Sequence, residues 1–189
     1  MVLDSGQKVN STDVERLVKA GRGGSREAFN ELVRLYQRRA MRVAVGMLGN
    51  VDDAAEAVQA GFVRAYLGIG KLKKPEQFEA WLLRIIANTA ISQQRAAKRR
   101  TEKIKIAGYY KDKKAGSPVR NGIADELKDA IQRAMLKLSK KEAKAIGLFG
   151  LKDLSHREVA EIMGCSVEAV RWYVFRARRK LRVLLKEYL

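Results

Sequence analysis

The sequence predicts an all-α protein built from two small helical domains that are joined by a flexible basic linker. Only two prolines occur in 189 residues, and helices exclude proline from their interiors. Apolar residues recur at steps of three and four, which is typical of one buried helix face. The composition changes between residues 95 and 120, where basic residues and turn formers replace the apolar pattern. Together these observations indicate two helical units with a break between them.

The first domain, residues 1–100, is expected to contain four helices. Ser25 can cap the second helix with its side-chain oxygen. The acid-rich stretch "DDAAE" suits the positive N-terminal end of the third. Pro75 follows the loop "GIGKLKKP" and fits the first turn of the fourth. Trp81 lies on the apolar side of that fourth helix and is predicted to belong to the core.

The linker is assigned to residues 101–124 and the second domain to residues 125–189. The basic charge of the linker is consistent with a solvated tether and equally with direct DNA contact. The second domain contains two capping boxes, Ser139-x-x-Glu142 and Ser155-x-x-Glu158, each of which marks a helix start. No internal repeat is present. The second domain is therefore also expected to be helical.

The segment "SHREVAEIMGCSVEAVRWYVFRARRKLR" has the anatomy of a helix-turn-helix motif. Gly164 ends its first helix, and Ser166 can cap its second helix. On the second helix Val170 and Val174 share an inward face, whereas the outward arc is cationic and aromatic, and no acid is expected to neutralise it. Such a helix fits a DNA major groove. The predicted DNA-contacting residues are Arg171, Trp172, Phe175, Arg176, Arg178 and Arg179, although partial burial of Trp172 against a neighbouring helix is equally consistent with the pattern.

The net charge of +18 indicates a polyanionic partner. A basic amphipathic helix can also bind a membrane surface, but the turn and the capped preceding helix favour DNA. The single cysteine, Cys165, excludes an internal disulfide and a multi-cysteine metal site. His156 is the only histidine, and together with the lone Cys165 it supports neither metal binding nor catalysis, so we expect no catalytic residue, no metal and no cofactor. The sequence also lacks an apolar run of the ~18 residues needed to cross a bilayer, and a cytoplasmic location without membrane insertion is expected.

Two stretches carry a resemblance to a known family. The segment "GSREAFNELVRLYQRRAMRVAVGMLGNVDDAAEAVQAGFVRAY", followed by "FEAWLLRIIANTAISQQR", resembles domain 2 of bacterial extracytoplasmic-function (ECF) sigma factors. The helix-turn-helix segment resembles their domain 4. The resemblance covers about residues 11–100 and 125–187, and the order and the basic linker also match.

This resemblance implies a transcription initiation factor, without enzymatic activity, that binds core RNA polymerase, directs it to promoter DNA and helps to melt the minus-ten region. A cognate anti-sigma factor is a further candidate partner. The second and third helices would bind the polymerase clamp through Arg38, Arg39, Asp53, Glu56 and Gln59. The loop before the fourth helix and the exposed face of that helix would bind the minus-ten element through Lys71, Lys73, Lys74, Arg84 and Asn88. The outward arc of the helix-turn-helix would read the minus-thirty-five element.

The sequence departs from the family pattern in the stretch "DAAEAVQAG", where one carboxylate of the family is missing. Gly61 is expected to interrupt the third helix there, because glycine disfavours helix interiors. A stand-alone helix-turn-helix regulator is the alternative function. It would need a dimer interface or a ligand pocket, and the sequence shows neither a coiled-coil heptad nor a composition typical of a sensor domain.

Overall fold

The structure, a computed structural model, describes residues 11–106, 122–150 and 154–188. These residues form α-helices and short 3₁₀ turns, and no strand occurs among them. The helices are α1 (Ser11–Arg22), α2 (Arg26–Leu48), α3 (Val51–Gly68), α4 (Phe78–Ile106), α5 (Gly122–Leu136), α6 (Lys140–Phe149), α7 (His156–Met163) and α8 (Val167–Leu184). The 3₁₀ turns are Ile69–Lys71, Pro75–Gln77 and Lys186–Tyr188. The all-α prediction is confirmed.

The first four helices pack around a common core in which Leu32, Phe78 and Leu82 are fully buried. Ser25 caps α2 as predicted, since its hydroxyl accepts a hydrogen bond from the amide of Ala28 at 3.2 Å. Pro75 opens the 3₁₀ turn that leads directly into α4. Pro75 therefore lies at the start of the helical segment that contains α4.

Gly61 does not interrupt α3, so that expectation was wrong. The helix runs unbroken from Val51 to Gly68, and Gly61 is buried in it. A Cβ atom at this position would overlap the side chain of Ile86 on α4. The missing side chain lets the two helices approach closely, and this packing outweighs the helix cost of glycine, which is about 1 kcal/mol.

Helices α6, α7 and α8 of the second domain begin where the sequence indicated. Both capping boxes are formed, with Ser139 at the start of α6 and Ser155 at the start of α7. Gly164 ends α7 in the left-handed region at a φ of 66°, a conformation that glycine adopts without steric cost. Ser166 caps α8 through the amide of Ala169. These local features join α7 and α8 by a short turn, and the two helices pack against each other, as in a helix-turn-helix.

The helices on both sides of the predicted linker extend into it. Helix α4 continues to Ile106, past the expected domain end at residue 100, and α5 begins at Gly122 rather than at residue 125. The extra turn of α4 has a simple cause, because "KRRTEKIKI" consists mainly of good helix formers and contains no breaker. The remainder of the predicted linker, 107–121, lies outside the described residues.

The two domains pack directly against each other. One continuous apolar cluster contains Leu32 and Leu82 of the first domain together with Leu148, Val159 and Ile162 of the second. Helices α6 and α7 supply the second domain's side of this contact, and α2 and α4 supply the first domain's side. No sequence pattern had predicted this arrangement, because none of the apolar stripes specifies its partner helix.

Candidate nucleic-acid and polymerase interface

Helix α8 presents a cationic and aromatic surface, which we call the α8 face. All of its predicted DNA-contacting residues are exposed, namely Arg171, Trp172, Phe175, Arg176, Arg178 and Arg179. Trp172 is 51% exposed and Phe175 is 63% exposed. On the opposite side of the helix Val170 and Val174 are buried. The amphipathic assignment of α8 is therefore correct, and the aromatic rings lie at the surface rather than in the core.

An acid from another helix pairs with part of the α8 face, which corrects the expectation that no acid neutralises it. Glu142 on α6 accepts Arg176 Nε at 3.1 Å on one carboxylate oxygen and Lys180 Nζ at 2.8 Å on the other. Its side chain is only 3% exposed. Burial by itself would raise the pKa of Glu142, but hydrogen bonds from Lys180 and Ser139 lower it below its usual value. Glu142 is thus a charged, nearly enclosed partner for two basic side chains.

Two of the arginines on the α8 face also contact aromatic rings. The guanidinium carbon of Arg176 lies 4.7 Å from the centre of the Trp172 ring, and that of Arg178 lies 5.1 Å from the centre of the Phe149 ring. Cations are attracted to the faces of aromatic rings at such distances. Arg176 and Arg178 therefore each have an aromatic partner within the second domain.

The predicted minus-ten residues fall into two groups. Lys71, Lys73 and Lys74 are exposed in the connection between α3 and α4, where they can follow a phosphate backbone. Arg84 and Asn88 lie on α4 and instead contact the second domain. This division was not predicted from the sequence.

Arg84 hydrogen-bonds to the C-terminal end of α7. Its Nε donates to the carbonyl oxygen of Ile162 at 2.8 Å, and its Nη2 donates to that of Glu161 at 2.7 Å. The last carbonyls of a helix lack partners within the helix and carry its negative dipole end. An arginine from the first domain therefore caps a helix of the second.

Lys144 on α6 is a residue that the sequence reasoning missed. It is 8% exposed and donates a hydrogen bond to Asn88 Oδ1 at 3.0 Å. Burial, followed by the nearby charge of Arg84, lowers the pKa of Lys144 to about 8. The only available signal was its position within the apolar stretch "EAKAIGLF", which would have suggested burial but no partner.

The predicted polymerase-binding residues also divide. Arg38, Asp53, Glu56 and Gln59 are exposed on α2 and α3. Arg39 instead forms ion pairs with Glu79 of the first domain and, at 3.2 Å, with Glu158 of the second. Burial raises the pKa of Glu79, while the charge of Arg39 opposes that shift. Glu158, known from the sequence only as a capping-box residue, is therefore also part of the domain contact.

The described ranges contain no group of three or more histidine, cysteine, aspartate or glutamate side chains placed to hold a metal ion. None of the helices in these ranges combines the length and the apolar composition that crossing a membrane requires.

The comparisons with known proteins agree with the two-domain architecture. Residues 32–100 match the family described as Sigma-70 region 2, and residues 128–181 match Sigma-70, region 4. The ECF RNA polymerase sigma factor SigW of Bacillus subtilis is 30% identical over 190 residues, covering 92% of this chain and 97% of SigW. The chain belongs to the ECF sigma factors.

Other members of the family match over similar lengths. The ECF RNA polymerase sigma-E factor of Escherichia coli is 30% identical and the alignment covers 94% of each chain. The solved structure of RpoE in complex with the anti-sigma factor NepR from Bartonella quintana is 28% identical, with a TM-score of 0.54, and the match covers 84% of this chain and 96% of RpoE. The structure of CnrH in complex with the cytosolic domain of CnrY shares the fold, with a TM-score of 0.60 at 24% identity over 93% of this chain and 98% of CnrH.

Membership of this family establishes the general activity of the chain. It is a non-enzymatic transcription initiation factor that binds core RNA polymerase and directs it to promoter DNA.

Proposed function

We propose that this sigma factor reads the minus-thirty-five element with the α8 face and captures the minus-ten element with the α3–α4 loop and α4. The observation that carries the first assignment is the simultaneous exposure of all six predicted α8 residues above a buried apolar side. A helix of this form can enter the major groove, where arginines pair with guanine or with phosphates.

The minus-ten assignment rests on Lys71, Lys73 and Lys74 in the loop and on Arg84 and Asn88 of α4. The polymerase clamp is proposed to bind Arg38, Arg39, Asp53, Glu56 and Gln59. Three members of these sets, Arg39, Arg84 and Asn88, contact the second domain in this structure. Productive binding at all of these positions therefore requires the two domains to separate.

Two further assignments belong to the proposal. The protein acts in the cytoplasm, where bacterial core polymerase and promoter DNA are present. Its regulator is an anti-sigma factor, as for the relative RpoE, which was solved in complex with the anti-sigma factor NepR. A binding partner of that class would compete with polymerase for the same surfaces.

Run-off transcription with purified core polymerase tests the proposal. Polymerase with the protein should initiate on a template that contains the matched upstream element, and polymerase alone should not. A scrambled upstream element should reduce initiation, whereas an unrelated change between the two elements should not. If the free protein bound its DNA site tightly but gave no polymerase-dependent transcripts, a stand-alone regulator would replace this proposal.

A further inference from the structure

The pair formed by Glu142 and Arg176 links the interior of the second domain to its DNA-facing surface. Glu142 is 3% exposed and Arg176 is 45% exposed at the side chain. The bond joins Glu142 Oε1 to Arg176 Nε, which lies at the inner edge of the guanidinium group. The terminal Nη groups are thus left for an outside partner, and the guanidinium carbon lies 4.7 Å from the centre of the Trp172 ring, a contact that further restrains the group.

The other oxygen of Glu142 holds the carboxylate in place. Oε2 accepts the backbone amide of Ser139 at 2.9 Å and Lys180 Nζ at 2.8 Å. The amide bond completes the capping box of α6, so the carboxylate cannot rotate without losing a helix cap. A rigid anion therefore positions the arginine.

We propose that Glu142 is a positioning residue that holds the guanidinium of Arg176 ready to pair with a base in the upstream promoter element. This inference rests on the proposed function of the α8 face. An arginine whose orientation is already fixed loses less conformational freedom when it pairs in bidentate fashion with guanine. Glu142 also neutralises charge on Arg176 and Lys180, which restrains them from binding phosphates regardless of sequence.

Glu142→Gln is the decisive variant, because glutamine also serves at the third position of a capping box and has the same size. The affinity of the holoenzyme is measured on promoter DNA with a matched or a scrambled upstream element, over a series of salt concentrations. The ratio of matched to scrambled affinity should fall by roughly fivefold, the low end of what a bidentate pair contributes to base discrimination. On scrambled DNA the salt dependence of the affinity should steepen by about one to two. Arg176 and Lys180 would be free to bind phosphates, and each basic side chain that does so adds about 0.9 to the slope.

Two further variants distinguish the effect of the position of the Glu142 carboxylate from the effect of its charge. Glu142→Asp keeps the charge but withdraws the carboxylate by one methylene group, so the affinity ratio should fall while the salt slope stays unchanged. Glu187→Gln removes one negative charge from the exposed 3₁₀ turn after α8 and should leave the ratio unchanged. Thermal unfolding of each variant verifies that the domain is folded.

The double variant Glu142→Gln/Arg176→Ala should discriminate no less than Arg176→Ala alone, since Glu142 acts through Arg176. An unchanged affinity ratio in folded Glu142→Gln, or an equal loss of discrimination with and without Arg176, would overturn the inference. If the wild-type holoenzyme itself failed to distinguish the two DNAs, the proposed role of the α8 face would be wrong instead.

Discussion

Replacing Lys144 by methionine should tighten the contact between the two domains. Lys144 is buried at that contact with its pKa lowered from 10.5 to about 8, a shift that corresponds to about 3 kcal/mol against the charged form. Methionine has a similar length and carries no charge. The lost hydrogen bond to Asn88 costs about 1 kcal/mol, so the closed arrangement should gain about 2 kcal/mol, or roughly thirtyfold in its equilibrium constant.

The pH dependence of the wild-type contact follows from the same shift. Because the closed form lowers the pKa of Lys144, it favours the neutral amine, and closure should strengthen as the pH rises above about 8. Closure should increase about tenfold between pH 7 and pH 9. In Lys144→Met this increase should disappear.

Energy transfer between a dye on α1 and a dye on the 3₁₀ turn after α8 would measure closure, and titration with core polymerase would measure its consequence. Lys144→Met should raise the energy transfer and weaken polymerase binding. Lys140→Met, an exposed change on the same helix, is the matched control and should do neither. If both variants behaved alike, or if the pH dependence persisted in Lys144→Met, burial of the amine would not govern this contact.

Other changes should have distinct effects. Gly147→Leu should open the domain contact and strengthen polymerase binding, because even a Cβ at Gly147 would lie 2.9 Å from Met47 Cγ on α2; small-angle scattering should show a larger radius. Gly164→Ala should lower the thermal stability of the second domain by about 1–2 kcal/mol, since the φ of 66° is unfavourable for alanine, and an unchanged unfolding midpoint would contradict this. Arg171→Ala should cost about 1–3 kcal/mol on matched promoter DNA only, whereas Arg179→Ala should weaken binding equally on all sequences and reduce the salt slope by about one.

Features that depend on neighbouring residues were predictable from the sequence. The capping residues Ser139, Ser155 and Ser166 and the terminating Gly164 act within four positions of themselves. The buried and exposed sides of α8 follow from the helical period alone. These local rules were sufficient to predict the helix-turn-helix and the composition of its outer face.

Features that depend on partners distant in the chain were not predictable. Glu142 was identified as a capping residue, but its second role depends on Arg176 and Lys180, which reach it only after the domain has folded. Gly61 was interpreted as a break because its helix propensity is visible in the sequence, whereas the side chain of Ile86 that requires it is not. Likewise, nothing in the sequence around Arg84 indicated that this residue would cap a helix of the other domain.

The contacts of Arg39, Arg84 and Asn88 with the second domain have a thermodynamic consequence. They occupy residues of both the proposed polymerase surface and the proposed promoter surface, so opening the contact exposes the two surfaces together. Each apparent dissociation constant equals the intrinsic value divided by the open fraction, so an open fraction of about one in a hundred weakens both interactions about a hundredfold. Linkage is reciprocal: the factor by which polymerase improves promoter affinity is the factor by which promoter DNA improves polymerase affinity. Under the proposed assignments, free sigma factor is restrained from occupying promoters by itself, and assembly with polymerase removes that restraint in the same step.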